Sequence, residues 1–362
     1  MIAVMRILFL DPADFIGGAE LFQRELFQSL SEDVEGIFVT AENNIFPLPQ
    51  RIQKITIPLP RLRPFRPVLF FQTILRLRKI IQEKNIALVH SNSVRAGLFA
   101  RFLGIPWTHF VHDFTTPKFL APVFRHADHI FCCSEVVRKD ILHKKASSSL
   151  DRTSVIPPLL PNKAEYERIQ ANWKKNALFR VSFVGRIDTW KGQDVLLKVA
   201  KKCLEDGRDD IHFSLFGTSS SHDMKTVAFE ESLHNFKEEH HLTNVSFRGY
   251  CDSAEIFSET DLLIHASTKP EPFGRTIAEA VLLGIPVIAS KNAGAVPSFL
   301  STPSVFFLEN PKDVEELFRL LQKAKQDFSF QAFPISKNTD LWKLFSNGEK
   351  RMETIWHDII AQ

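Results

Sequence analysis

Cysteine is scarce: the chain has four (Cys132, Cys133, Cys203 and Cys251), two of them adjacent, with no CxxC pair and no Cys/His spacing suited to a metal. That argues against a disulfide scaffold and a structural zinc, and a reducing, cytoplasmic setting is expected. Long apolar runs are missing too, none approaching the ~18 residues a membrane-spanning helix needs. The opening Met1-Ile2-Ala3-Val4-Met5-Arg6 has no basic segment before an apolar one, and Asp11-Pro12 follow too soon for a secretory signal. No GxGxxG follows any strand-like run, so the dinucleotide fingerprint is absent. No acidic pair sits where a metal would need it, so neither metal nor cofactor is expected. No repeat of roughly 20–50 residues stands out, which speaks against a solenoid.

What remains is an ordinary globular mixture, 44% apolar and 24% charged, in a 362-residue chain long enough for two domains. The net charge of +3 is uneven: residues 1–160 hold 20 Lys/Arg against 14 Asp/Glu, the remainder 25 against 28. Residues 43–82 hold eight basic side chains (Arg51, Lys54, Arg61, Arg63, Arg66, Arg76, Arg78 and Lys79) and no acid, interleaved with Phe46, Phe65, Phe70 and Phe71. Such a stretch suits an anionic partner such as a phosphorylated lipid, a membrane face or nucleic acid. A solvated helix face with inward-packed Leu and Phe explains it equally well.

Short β-type runs alternate with amphipathic helical stretches over nearly the whole chain, which reads as βαβ units and parallel sheets. Strands are expected near 6–10, 36–40, 54–57, 87–90, 108–112, 129–133 and 154–157, with helices near 19–30, 68–83, 95–103, 118–125 and 135–143. Pro157, Pro158 and Pro161 break this series and mark a linker. After it, strands are expected near 179–185, 212–217, 244–248, 262–265, 286–289 and 304–308, with helices near 192–205, 225–240, 253–259, 276–283 and 312–325. A last helix near 340–360 is long enough to pack back across the first domain. The expected organisation is one domain at 1–160, a second at 161–336, and a returning helix at 337–362. Two such domains would form a cleft with ligands at the carboxyl ends of the strands, so useful residues should lie just after strands.

Several do. Gly17-Gly18-Ala19-Glu20 follows the first strand and opens a helix, where a helix start favours an anion or a sugar hydroxyl; a tight turn explains the pair equally well. Arg186, after Phe183-Val184-Gly185, and Lys191, before Gly192, should flank another helix start, where two cations and backbone amides suit a diphosphate. The strongest signal is Glu271-Pro272-Phe273-Gly274-Arg275-Thr276-Ile277-Ala278-Glu279. Pro272 keeps Glu271 out of the helix, residues 273–276 offer amides, and Glu279 lies about one turn in. Two carboxylates with amides between them could bracket a nucleotide-diphosphate sugar, although acids eight positions apart also occur by chance. His112 ends a strand, where it could meet a substrate hydroxyl; a lone histidine there is more often structural.

In their order, these motifs resemble glycosyltransferase family 4, the group 1, retaining enzymes of GT-B architecture, over nearly the whole chain. The resemblance rests on Gly17–Glu20, the 108–113 segment, Ala127-Asp128 with Ser134-Glu135, Gly185-Arg186 with Lys191-Gly192, and above all the Glu-x7-Glu spacing followed by Gly284-Ile285-Pro286-Val287. It implies an α/β fold of two facing Rossmann-like domains with parallel sheets and an inter-domain cleft. It implies a hexosyl or other glycosyl transfer with retention from a nucleotide-diphosphate sugar to a glycan or lipid-linked acceptor. In that reading Arg186 and Lys191 bind the diphosphate and Glu271 the donor sugar. The amides of Phe273, Gly274 and Arg275 serve sugar or phosphates, Glu279 holds the ribose, Gly17 and Gly18 face the diphosphate or acceptor, and His112 sits at the transferred sugar. The expected setting is cell-envelope glycan assembly, with peripheral contact to an anionic membrane through residues 51–79 and no nucleic-acid partner.

Three departures stand out. Ser298 replaces the glutamate that the family often has in Gly-Gly-x-Pro-Glu, Pro158-Leu159-Leu160-Pro161-Asn162 replaces the usual Asn-Gly-Val-Asp, and the loop after Gly217 lacks a second glycine. A nucleotide-sugar epimerase of similar fold, or a non-catalytic nucleotide-sugar-binding or scaffold homologue, are the alternatives.

Overall fold

The computed structural model of the chain describes residues 4–12, 17–41, 48–60, 67–114, 116–144, 150–160, 163–220, 223–291, 305–327, 345 and 347–362. The chain divides into two compact units, Met1–Leu160 with Phe345–Gln362, and Pro161–Leu344.

The first unit alternates strands and helices: β1 (Met5–Asp11), α1 (Gly18–Ser29), β2 (Val34–Thr40), β3 (Ile52–Thr56), α2 (Pro67–Glu83), β4 (Leu88–Ser91), α3 (Val94–Ala100), β5 (Trp107–Val111), α4 (Ala121–Phe124), β6 (His129–Cys132), α5 (Glu135–His143) and β7 (Thr153–Val155). The strands pair in parallel in the order β3-β2-β1-β4-β5-β6-β7. Ile7, Leu8, Phe9 and Leu10 are all fully buried, so neither face of β1 meets water, which explains a continuous apolar run in place of alternation. The terminal helix Gly348–Ile360 completes this core. Its Trp356 is fully buried edge-on to Phe9, 5.8 Å between rings, and its Nε1 donates to Thr108 Oγ1 at 3.2 Å.

The second unit comprises α6 (Lys163–Asn172), β8 (Phe179–Val184), α7 (Gln193–Glu205), β9 (Ile211–Phe216), α8 (Met224–Glu239), β10 (Val245–Gly249), α9 (Ser253–Ser258), β11 (Leu262–His265), α10 (Arg275–Leu282), β12 (Val287–Ser290), β13 (Val305–Leu308) and α11 (Val314–Asp327). Its parallel sheet runs β10-β9-β8-β11-β12-β13. On α7, Val195, Leu196, Val199, Ala200 and Cys203 recur at helical spacing and are buried against this sheet.

In each sheet the strand order reverses once, at β1/β4 and at β8/β11. Connections leave in opposite directions there and open a crevice at the carboxyl ends, where ligands bind in open α/β sheets.

The observed elements follow the expected alternation, with displaced ends. The helix expected over 118–125 shrinks to α4, because Pro122 fits only in a first turn; a start at 118 would bring its ring against a helix carbonyl. The strand expected over 108–112 stops at Val111, leaving His112 just beyond it. The last helix begins at Gly348 among the described residues; 340–344 and 346 lie outside them, as do Arg61, Arg63, Arg66, Phe46, Phe65, Pro161, Asn162 and Ser298.

Candidate functional site

In the second unit, the chain leaving β8 carries Gly185 and Arg186, then Trp190, Lys191 and Gly192 at the start of α7. Gly192 caps α7 with φ +93°, and a Cβ there would lie 2.4 Å from the Ala266 carbonyl oxygen. Only glycine lets the two loops approach this closely. They are tied again where the Thr268 amide donates to the Trp190 carbonyl at 2.7 Å. The chain leaving β11 runs through Ser267 to Glu271, and Gly274, with φ +89°, caps α10. Two helix N-termini, each with first-turn amides and the positive end of a helix dipole, thus begin beside the β8/β11 reversal.

Lys191 and Glu271 join the two loops: Lys191 Nζ donates to Glu271 Oε1 at 2.5 Å. Ser267 Oγ donates to the same oxygen at 2.8 Å, and His265 Nε2 lies 3.2 Å from it. The Glu271 side chain is 8% exposed. Burial alone would push its pKa up, but the His265 hydrogen bond and the Lys191 charge outweigh burial and hold the carboxyl well below the usual carboxylate range. Lys191 also lies over the Trp190 ring, 4.3 Å from its centroid.

The remaining expected residues have their own partners. Arg186, 45% exposed, pairs with Asp188 at 3.2 Å, while Gln193 Nε2 holds the Arg186 carbonyl at 3.1 Å. Arg275 Nε and Ser253 Oγ donate to Glu279 Oε1 at 3.2 and 3.3 Å, so buried Glu279 is charge-paired within α10. Phe273 is buried ahead of Gly274. Arg186 and Lys191 are therefore not a bare pair of cations, as expected from sequence; each already carries a carboxylate partner.

In the first unit, three neighbouring strand ends carry a second polar cluster. Asp11 ends β1, Asn92 follows β4 and His112 follows β5. Asn92 Nδ2 donates to Asp11 Oδ2 at 3.0 Å, and Asn92 Oδ1 lies 2.6 Å from His112 Nε2. The Asn92 amide thus presents its NH₂ to Asp11 and its oxygen to His112. His112 then carries its proton on Nε2 and leaves Nδ1 an acceptor. Its ring stacks on Phe110 at 4.3 Å, and burial, then His109, pushes its pKa down to about 3, so the imidazole is neutral. Gln23 of α1 is buried beside the cluster, with no partner for Nε2 among the described residues. Gly17 caps α1, and its amide donates to Glu20 Oε2 at 2.8 Å, so this N–H serves the helix; Gly18 is exposed at the first helical position.

The structure thus brings Lys191 and Glu271 into contact, and sets Arg186, Glu279 and His112 in separate hydrogen-bonded groups. Sequence reasoning missed Asp11, Asn92, Gln193, His265 and Ser267. Asp11, Asn92, His265 and Ser267 end or follow strands, so the strand-end rule that found Arg186 and His112 could have found them; Gln193 had no comparable signal. Among the described residues no group of three or more His, Cys, Asp and Glu could hold a metal ion, and no helix is long and apolar enough to cross a membrane.

Residues 165–336 match the family model for glycosyl transferases group 1, and residues 16–160 match that for Glycosyltransferase Family 4. An uncharacterized 42.6 kDa protein in the cps region of Klebsiella pneumoniae is 26% identical over 143 residues, which are 38% of this chain and 33% of that protein. Spore coat protein SA of Bacillus subtilis is 27% identical over 142 residues, 38% of this chain and 37% of the relative. The chain therefore spans, in these alignments, little more than a third of each relative's length. Among solved structures, a glycosyltransferase from Rickettsia africae has a TM-score of 0.77 at 18% identity, covering 98% of each chain. Anabaena Alr3699/HepE in complex with UDP and glucose has a TM-score of 0.69 at 20% identity, covering 99% of this chain and 98% of that one. At such identities the likeness is one of fold: two parallel-sheet α/β domains of the GT-B kind.

Proposed function

The chain belongs to glycosyltransferase family 4, the group 1 glycosyltransferases, and from that membership we propose that it moves a sugar, with retention, from a nucleotide-diphosphate sugar to a hydroxyl of a glycan or lipid-linked acceptor. The observation that carries this reading is the buried Lys191–Glu271 pair, held where two glycine-capped helices begin beside the strand-order reversal. A diphosphate at those helix starts would meet backbone amides, Lys191 and Arg186. Their charge offsets what develops on the phosphate as the bond from sugar C1 to phosphate oxygen breaks. The acceptor oxygen bonds to C1 on the face the phosphate leaves, and the acceptor proton passes to the departing phosphate oxygen, giving the nucleoside diphosphate. No protein nucleophile is needed, so catalysis rests on position and charge.

Glu271 takes hydrogen bonds from the donor sugar, the amides at Phe273, Gly274 and Arg275 serve sugar or phosphate, and Glu279 holds the ribose. Gly17 and Gly18 lie toward the diphosphate or acceptor, and the neutral His112 offers Nδ1 to a hydroxyl of the transferred sugar. No metal or cofactor takes part. That Anabaena Alr3699/HepE was solved with UDP and with UDP-glucose supports a donor of this class. A lipid-linked acceptor in cell-envelope glycan assembly requires work at the cytoplasmic face of an anionic membrane, for which the stretch 51–79 is the proposed contact.

Thermal stabilisation by UDP-, GDP- and ADP-sugars tests the donor site; a ligand at 100 times its Kd adds about 2.7 kcal/mol. Product NMR then reads the anomeric configuration. Stabilisation by none of the three, or an inverted product, would overturn the proposal.

A further inference from the structure

Among the exposed large apolar side chains, Phe71, Leu75 and Phe102 line one groove, and Val68 lies one turn before Phe71 on α2. On α2, positions 68, 71 and 75 follow helical spacing and share one face, while Thr73, Ile74, Leu77 and Ile81 occupy the buried face. Phe102, just after α3, joins them: the Phe70 ring contacts Phe71 and Phe102 at 5.8 Å each and stacks on Phe99 at 4.9 Å. Phe70, Phe71, Ile74, Leu75, Arg78 and Phe102 line a shallow groove of about 200 Å³.

Cations frame this patch. Arg76, Arg78 and Lys79 are exposed on α2, and Arg78 donates to the Phe102 carbonyl at 2.8 Å. Arg101 lies over the Phe102 ring, 6.0 Å from its centroid. The one acid of α2, Glu83, is a full turn beyond and pairs with Lys79. Arg51, at the other end of the basic stretch, is instead committed to the Phe27 and Gln28 carbonyls. Among the described residues of 51–79, the exposed apolar and basic side chains meet on α2, beside Phe102.

We propose that this face docks on an anionic lipid bilayer, with Val68, Phe71, Leu75 and Phe102 entering the boundary between headgroups and acyl chains, and Arg76, Arg78 and Lys79 meeting lipid phosphates. Charge decides the occupant. Apolar side chains ringed by cations, on a helix with a single, already paired acid, complement a negative surface that is apolar beneath. A second copy of this chain would set the same cations against one another. The inference deepens the lipid-linked-acceptor reading, but its test needs neither donor nor acceptor, so either can fail alone.

The full chain is sedimented with vesicles of equal phosphatidylglycerol and phosphatidylcholine, and with phosphatidylcholine alone. Binding to the anionic vesicles alone, weakened but not abolished by salt, is the expected result. Phe71→Ser/Leu75→Ser should weaken that binding at least about tenfold, from the loss of two inserted side chains. Both positions are exposed, so the thermal melt should not move, and an unchanged melt separates lost docking from lost folding. Equal binding to both vesicle types, binding to neither, or wild-type binding by the double variant would overturn the proposal. So would a concentration-dependent dimer that the double variant abolishes, which would give the face to a second copy.

Discussion

Glu271 is a buried carboxylate that stays ionised because three donors converge on one of its oxygens. Removing Lys191 therefore does two things. Lys191→Ala leaves the Glu271 charge buried against His265 and Ser267 alone, and should lower stability by about 3–5 kcal/mol in urea melts; adding Glu271→Gln should recover much of that loss. It should also lower kcat/KM about 10²–10³-fold if the ammonium offsets leaving-group charge, a loss Glu271→Gln should not recover. Recovery of both together would make the pair purely structural. In the first unit, Asn92→Asp places a carboxylate opposite His112 Nε2 and should raise the His112 pKa from about 3, read by NMR titration of the ring. An unmoved titration would show that Asn92 does not set this imidazole. The sequence made Lys191, Glu271 and His112 visible because each flanks a strand or a helix start. It hid their pairing, which depends on β11 and β4 lying next to β8 and β5, and strand order is not a local property.

At the scale of elements, the glycines at helix starts divide into two kinds. Gly192 needs positive φ and has Ala266 against it, so Gly192→Ala should cost more than about 2 kcal/mol by chemical denaturation, strain and collision together. Gly18 has nothing within 4 Å of an added Cβ and lies within a helix, so Gly18→Ala should keep or raise stability by about 0.4–1 kcal/mol. That makes Gly18 a clean probe: a stable Gly18→Ala protein with reduced turnover would place substrate against this backbone, and unchanged turnover would make the Gly-Gly a turn. Elements with two buried faces, such as β1 and β11, were legible because sealed strands tolerate little but apolar residues. Helix α4 was not, since its apolar pattern extends past the point where Pro122 permits a helix. The basic stretch shows the same limit: charge was readable, but which of its residues share a face depends on how α2 turns Phe71 and Leu75 outward while burying Ile74 and Leu77.

Across the whole chain, acid should act first on one unit. Burial pushes His90 and His109 down to about 3, with His109 and His112 adding to the effect at His90; His112 also lies at about 3 and His129 at about 4, in each case chiefly through burial. All four belong to the first unit; in the second, His212 on β9 is lowered too, by burial and then by the Arg248 charge, but it is only half-buried. An unfolded histidine titrates near 6.5, so below that pH the unfolded chain binds protons that the folded unit refuses. The stability these groups confer is full above pH 6.5 and is lost as pH falls toward their folded values, at about 1.4 kcal/mol per pH unit for each histidine. Glu271, in the second unit, has a lowered carboxylate pKa, so its contribution persists until pH falls below the ordinary carboxylate value of 4.5. Between pH 6.5 and 4.5, hydrogen exchange followed by mass spectrometry should show protection falling in peptides from β1, β4 and β5 while those from β8 and β11 hold. Equal loss in both sheets would mean that the units unfold as one. Retention in both would mean that these histidines can take up protons without leaving the core, and the neutral imidazole assigned to His112 would fall with them.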